Sequence, residues 1–254
     1  MTTTMTIAAL YRYPVKGLSP EPLDRCVLEP GAALPGDRRF ALLAGSAPFD
    51  ALRPTWQPRT AFVTLRSHPR VGDLTTRWIS VANTLTVERN GKQVARGDLT
   101  TAIGRAMLEE FFGAYLKEDG PTPRIVEAQG FSFSDTREQV VSIITRASLA
   151  ELERVGGKPV DERRLRANIV LDGTEAWAED TWHGRRLRLG AAVVEVITPP
   201  APLHSSEATP DTGIADSTLA RLLKGGLGRS GFGVHARVVA GGAVAVGDQG
   251  CMAA

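Results

Sequence analysis

Cysteine is nearly absent from this chain of 254 residues: Cys26 and Cys251 are the only two. That excludes a disulfide framework and a cysteine-built zinc site, and it fits a reducing cytoplasm. An excess of charge of one sign is missing too. The 30 Lys and Arg stand against 28 Asp and Glu, a formal charge of +2, so neither an extended basic groove for nucleic acid nor a charge-driven membrane surface is expected. Long apolar runs are lacking: stretches such as Ala191 to Val196 fall far short of the roughly 20 residues that cross a bilayer. The start, Met1 to Thr6, has neither the basic segment nor the apolar core of a signal peptide, so export is not expected. Phosphate-loop, dinucleotide-binding and metalloprotease spacings are absent.

What is present is an ordinary globular composition, 43% hydrophobic and 23% charged, long enough for one large or two small domains. From Ile7 to about Leu99 short alternating runs are broken by Gly, Pro and Asn, the pattern of β structure. Asn90-Gly91, between Thr86-Val87-Glu88 and Gln93-Val94-Ala95, predicts a hairpin with a type I′ turn. Ile103, Met107, Phe111 and Ala114 recur at helical spacing before Gly120-Pro121-Thr122-Pro123 breaks the chain. The second half resumes with Val140 to Ile144 as a buried strand, then a short helix capped by Ser148 with Glu151 and ended by Gly156-Gly157. Further strands are expected at 168–171, 187–189, 193–197, 233–239 and 243–246, and a helix at 216–223. Strands outnumber helices without alternating regularly with them, which disfavours a doubly wound sheet. The expectation is a mainly β, α+β chain of two barrel-like domains, residues 1–120 and 121–254.

Several segments carry chemistry. In Tyr13-Pro14-Val15-Lys16-Gly17 a lysine follows a strand, where it either meets an anion or sits solvated at a turn. In Gly36-Asp37-Arg38-Arg39-Phe40 the Asp can orient one guanidinium while the other forks onto an anion; a plain surface ion pair is the alternative. Arg163-Arg164-Leu165-Arg166-Ala167-Asn168 crowds three guanidiniums. In an extended backbone Arg166 and Asn168 share a face, suited to a phosphate and a ring amide, and the competing reading is a basic solvated turn. Trp177-Ala178-Glu179-Asp180-Thr181-Trp182 reads as a packing corner with ion pairs more than as an acid/base dyad. His68, His183 and His235 lack neighbours at metal spacing, whereas His204 lies in the proline-stiffened loop Thr198 to Ser206.

Taken in order, these segments resemble the MOSC family, proteins related to the C-terminal domain of molybdenum cofactor sulfurases, together with the N-terminal β-barrel domain that often precedes it. The segments that carry the resemblance are Tyr13 to Gly17, Leu28 to Phe40, Ala147-Ser148-Leu149, Arg166 to Val170, Trp177 to Trp182, Phe232-Gly233-Val234 and Val246-Gly247-Asp248. The resemblance implies a cleft for a phosphorylated molybdenum-pterin cofactor. Residues matching Lys16, Arg38, Thr145, Arg166 and Asn168 would contribute to binding it.

One departure stands out. Redox members of the family carry an Arg-Cys pair ahead of an Asp-Pro-x-Thr-Gly segment, and the cysteine ligates molybdenum. Here Leu203, or His204 if the match slips by one residue, takes the cysteine position, and Thr209 replaces the aspartate. Leu cannot coordinate a metal and imidazole is a harder donor than thiolate, so the metal ligand is left unknown. Ala167 also replaces the proline of the family's Arg-Pro-Asn version. Three readings stand: an atypical molybdenum-cofactor oxidoreductase needing a separate electron donor; a metal-free enzyme with His204 as general base acting on a small-molecule substrate; and a non-catalytic protein that binds a phosphorylated ligand.

Overall fold

The computed structural model describes residues 4–116, 121–198, 218–229 and 231–253. In chain order the strands are β1 (Met5–Arg12), β2 (Val15–Lys16), β3 (Glu21–Leu23), β4 (Arg25–Leu28), β5 (Phe40–Leu43), β6 (Leu74–Ile79), β7 (Thr84–Arg89), β8 (Lys92–Asp98), β9 (Arg124–Glu127), β10 (Val141–Thr145), β11 (Ile169–Asp172), β12 (Arg186–Leu189), β13 (Ala192–Val196), β14 (Val234–Ala240), β15 (Gly242–Ala245) and β16 (Gln249–Ala253). Helix α1 (Ala102–Leu116) follows β8 and α2 (Arg146–Gly156) follows β10. A short helical segment, α3 (Thr218–Arg221), runs into a π-type turn. No helix among the described residues is long and apolar enough to cross a membrane.

Seven strands close a barrel in the order β11, β10, β14, β13, β12, β16, β1 and back to β11. Alternate residues point inward, as a period of two requires, so Val141 and Ile143, Ile169 and Leu171, Leu187 and Leu189, Val194 and Val196, and Val234, Ala236 and Val238 fill one core. In β1 the inward residues Met5, Ile7 and Leu10 break that period. A register shift against β11 between Ile7 and Ala9 absorbs the extra residue. The β10–β11 pair is parallel, which demands a crossover, and α2 with the turn at Glu162–Leu165 supplies it. Strands β4 and β15 form an antiparallel pair whose Leu28 and Val244 join the barrel core.

The second unit consists of two three-stranded sheets, β2-β5-β9 and β6-β7-β8, which share a core with α1. The mainly β architecture with two barrel-like units and few helices is therefore the observed one. Strand β1 lies in the same sheet as the strands of the second half, across the division at residue 120 read from the sequence.

The hairpin forms at Asn90-Gly91, with φ of 51° and 72° at the two positions, as a type I′ turn requires. Helix α1 occupies the expected segment but turns a different face inward. Leu108 and Phe112 are fully buried, whereas Ile103 and Met107 of the expected stripe are 77% and 56% exposed. The reason is glycine: a Cβ at Gly104 would stand 2.3 Å from the carbonyl oxygen of Asp98, and one at Gly97 would stand 2.3 Å from that of Gly104. Helix and strand meet there backbone to backbone, which selects the Gly104 face.

Helix α2 begins two residues before the expected Ser148, because β10 runs into it directly and Thr145 serves as N-cap, its side chain accepting from the Ser148 N–H. It ends at Gly157, φ 67°, as expected. The closing strand β16 has no counterpart in the sequence reading, since Gly247-Asp248-Gln249-Gly250 looks like a turn.

Gly104→Ala tests the close approach. Helix propensity alone favours alanine by about 1 kcal/mol, yet the contact predicts a loss of about 2 kcal/mol or more, measurable as a lower midpoint in urea unfolding.

Candidate ligand-binding cleft

The cleft forms where the end of β1 meets the turn before β11. Its centre is Tyr13, fully buried. The Tyr13 N–H donates to Asp37 Oδ1 at 2.9 Å, its carbonyl accepts the Arg38 N–H at 2.7 Å, and its hydroxyl donates to the Ala167 carbonyl at 3.3 Å. The guanidinium carbons of Arg166 and Arg38 lie 4.2 and 5.0 Å from the centre of its ring. Burial drives the Tyr13 hydroxyl well above the ordinary phenol range, so it stays protonated.

Two residues in left-handed backbone aim the arginines. Arg38 has φ 48°, and its side chain donates to Asp37 and, through Nη2, to the Arg166 carbonyl at 3.1 Å. Arg166 has φ 52° and closes the turn Glu162–Leu165. Its Nη1 donates to the Leu18 carbonyl at 3.0 Å, while Nη2 is buried without a hydrogen-bond partner. Burial, and then the charge of Arg38, lowers its pKa to about 10. For Arg38 burial acts downward as well, but Asp37 and Asp135 outweigh it and the net direction is up.

Lys16 is 4% exposed. Its ammonium donates to the Phe133 carbonyl at 2.7 Å and to Asp135 Oδ1 at 2.5 Å. Burial lowers its pKa to about 8 in spite of Asp135, with Arg38 and Arg166 acting in the same direction. The next residue, Gly17, has φ 84°, and a Cβ there would stand 2.7 Å from the Val63 carbonyl oxygen, so the site needs glycine.

Together Lys16, Arg38, Arg59, Arg66, Arg166 and Asp135 line one cleft, five cations against one carboxylate. A contiguous apolar crevice walled by Leu18, Leu65, Val71 and Leu74 shares Arg166 and Gly17 with it.

The structure thus brings Lys16, Arg38 and Arg166 together. Asn168 is adjacent in chain but differently aimed: its Oδ1 accepts from the Ser142 N–H at 3.1 Å and the Ser142 hydroxyl at 2.9 Å, and its amide donates to the Tyr11 carbonyl. The shared face expected for Arg166 and Asn168 does not form, because the left-handed turn at Arg166 precedes the strand and swings the two side chains apart. Thr145 is not among the lining residues. It is fully buried, and its hydroxyl lies 2.8 Å from Ser148 Oγ and 3.1 Å from Glu179 Oε2, its one hydrogen shared between them. His204 and Leu203 lie outside the described residues.

Of the paired arginines read from the sequence, Asp37 holds Arg38, and Arg39 is taken by Glu127 at 2.7 Å. The Trp177–Trp182 segment is a packing corner. Glu179 is buried, Asp180 pairs with Arg229, and the Arg229 guanidinium lies 3.9 Å from the Trp177 ring centre.

Sequence reasoning missed Asp135 and Arg66, which come from segments without regular structure, and Arg59, which opens a single 3-10 turn at Arg59–Ala61; none carries a periodic pattern. It also passed over His235, whose pKa is lowered by burial and then by Arg38. Cys26 and Cys251 lie on β4 and β16, away from the lining residues. Among the described residues no three His, Cys, Asp or Glu side chains gather to hold a metal.

The MOSC N-terminal beta barrel domain model matches residues 4–117 and the MOSC domain model matches residues 128–249. The chain belongs to the MOSC family. Among solved structures, this MOSC protein is similar to the YuaD protein from Bacillus subtilis, at 14% identity over 99% of this chain and 97% of that one with a TM-score of 0.48. YiiM from Geobacillus stearothermophilus is similar at 20% identity over 45% of this chain and 54% of that one, with a TM-score of 0.33. No curated protein matches.

Thr145→Val separates scaffold from cleft. It removes the α2 cap and one donor to the buried Glu179 carboxylate, and a loss of about 2 kcal/mol is expected, read by urea unfolding. Phosphate affinity measured on the same protein should stay at the parent value.

Proposed function

We propose that this MOSC protein binds a phosphorylated small molecule in the cleft of Lys16, Arg38 and Arg166, either the molybdenum-pterin cofactor of the family resemblance or a related phosphorylated ligand. The observation that carries the reading is Arg166, a guanidinium buried beside a second one, with Nη2 lacking any partner. A buried charged donor without an acceptor is costly, and an anion satisfies it through charge-assisted hydrogen bonds.

The residues present fit the phosphate end of such a cofactor. Arg166 and Arg38 would hold phosphate oxygens, Lys16 would add a third positive charge, and Tyr13 would keep the two guanidiniums in place. At the metal end the described residues offer no thiolate, and the ligand position of the family falls on Leu203 or His204. When bound, the cofactor supplies two-electron redox chemistry at molybdenum, and oxidoreductase activity would then draw on a separate electron donor.

A second reading is a metal-free enzyme with His204 as general base. One observation bears on it: Thr198, the last described residue ahead of the His204 segment in the sequence, accepts the backbone N–H of His235 at 3.1 Å, and His235 lies within electrostatic reach of Arg38 and Asp135. The two unpaired cysteines suit a cytoplasmic setting.

Calorimetric titration with inorganic pyrophosphate, together with molybdenum and pterin content of the purified protein, tests the first reading. Arg166→Met should weaken binding at least about tenfold; binding equal to the parent's would remove the cradle. Lys16 in the ligand-free protein gives up its proton near pH 8. Affinity should therefore be full below that value and fall as pH rises through it, and Lys16→Met should flatten the step.

A further inference from the structure

Lys16 has two acceptors of different character. The Phe133 carbonyl belongs to a fully buried residue and is fixed, whereas the Asp135 side chain is 39% exposed at the mouth of the cleft, in a segment without regular secondary structure. Asp135 faces cations from several elements: Lys16 of β2, Arg38 of the loop before β5, and Arg59. Arg166 and His235 of β14 are the other titratable groups within its electrostatic reach. Burial acts to raise the Asp135 carboxyl, but Lys16 and then Arg38 outweigh it and hold it below the ordinary value, so it is ionised.

We infer that Asp135 is the resident counter-ion of the cleft, a tethered carboxylate that occupies the anion seat on Lys16 and is displaced by the incoming phosphate of the ligand. The inference rests on the phosphate-binding reading above and gives it selectivity. A tethered group acts at an effective concentration in the millimolar range, so a free monocarboxylate exchanging for it gains little. A phosphate or pyrophosphate group brings more charge and more acceptor oxygens, enough to engage Lys16, Arg38 and the open Nη2 of Arg166 at once. The Phe133 carbonyl keeps the ammonium in place during the exchange. The class selected is a polyanionic phosphate ester or anhydride over a simple carboxylic acid.

The test is calorimetric titration with inorganic pyrophosphate at about pH 6.5, below the Lys16 pKa of about 8, so that loss of the carboxylate does not also discharge the lysine. Asp135→Asn removes the charge at nearly constant shape, and Asp135→Ala removes the group without adding an amide. Both should tighten pyrophosphate binding about tenfold or more relative to the parent. Binding seen only in the two variants also supports the inference. Unchanged or weaker binding in both variants, with Arg166→Met still weakening it at least about tenfold, overturns the counter-ion role and leaves the cradle standing. If the two variants differ, the Ala variant decides. Failure of the parent and both variants to bind overturns cradle and counter-ion together.

Discussion

Two guanidiniums, Arg166 buried and Arg38 partly buried, crowd the Tyr13 ring, and that ring makes the pairing tenable. Like charges repel and burial strips their hydration, so each arginine needs a polarisable face and fixed acceptors. Tyr13 supplies the face, Asp37 and the Arg166 and Leu18 carbonyls supply acceptors, and every polar group of Tyr13 is itself bonded to a different segment. The loop before β5, the turn before β11 and the end of β1 are tied at one residue. The barrel and the second unit share their boundary there, around the cleft.

From this follows the division of labour among the polar residues. Those with complete hydrogen bonding are structural: Asn168 clamps the starts of β10 and β11 through Ser142, and Thr145 with Ser148 satisfies one oxygen of Glu179 while capping α2. Burial pushes the Glu179 carboxyl up, against the hydrogen bonds that stabilise its charge. In the cleft, by contrast, Arg166 keeps one donor without a partner and Lys16 shares its ammonium with a half-exposed carboxylate.

How much was legible in the sequence depends on whether the deciding force is local. Asn90-Gly91 announces its hairpin because positive φ at two consecutive residues is a local demand. The Gly157 helix end is legible for the same reason. The inward face of α1 was not, because two apolar stripes adjoin and the choice is made by a glycine contact with β8. The grouping of Lys16, Arg38 and Arg166 follows the chemistry of the three segments. The aim of Arg166 relative to Asn168 depends on a left-handed turn that a non-glycine sequence does not advertise. Asp135 has no local signature at all: its meaning comes from Lys16, 119 positions away.

The closure of the barrel has a temporal consequence. Met5 pairs with Gly250 and Thr6 with Gln249, so β1 is held on one edge by β16. Strands β2 and β5 to β9 and helix α1 all lie between those two strands in the chain and share a core of their own. On the ribosome the inner unit can therefore gather while β1 still has an unsatisfied edge, and such an edge is prone to foreign pairing until β16 emerges. The barrel closes around a unit that was made before its closing strand.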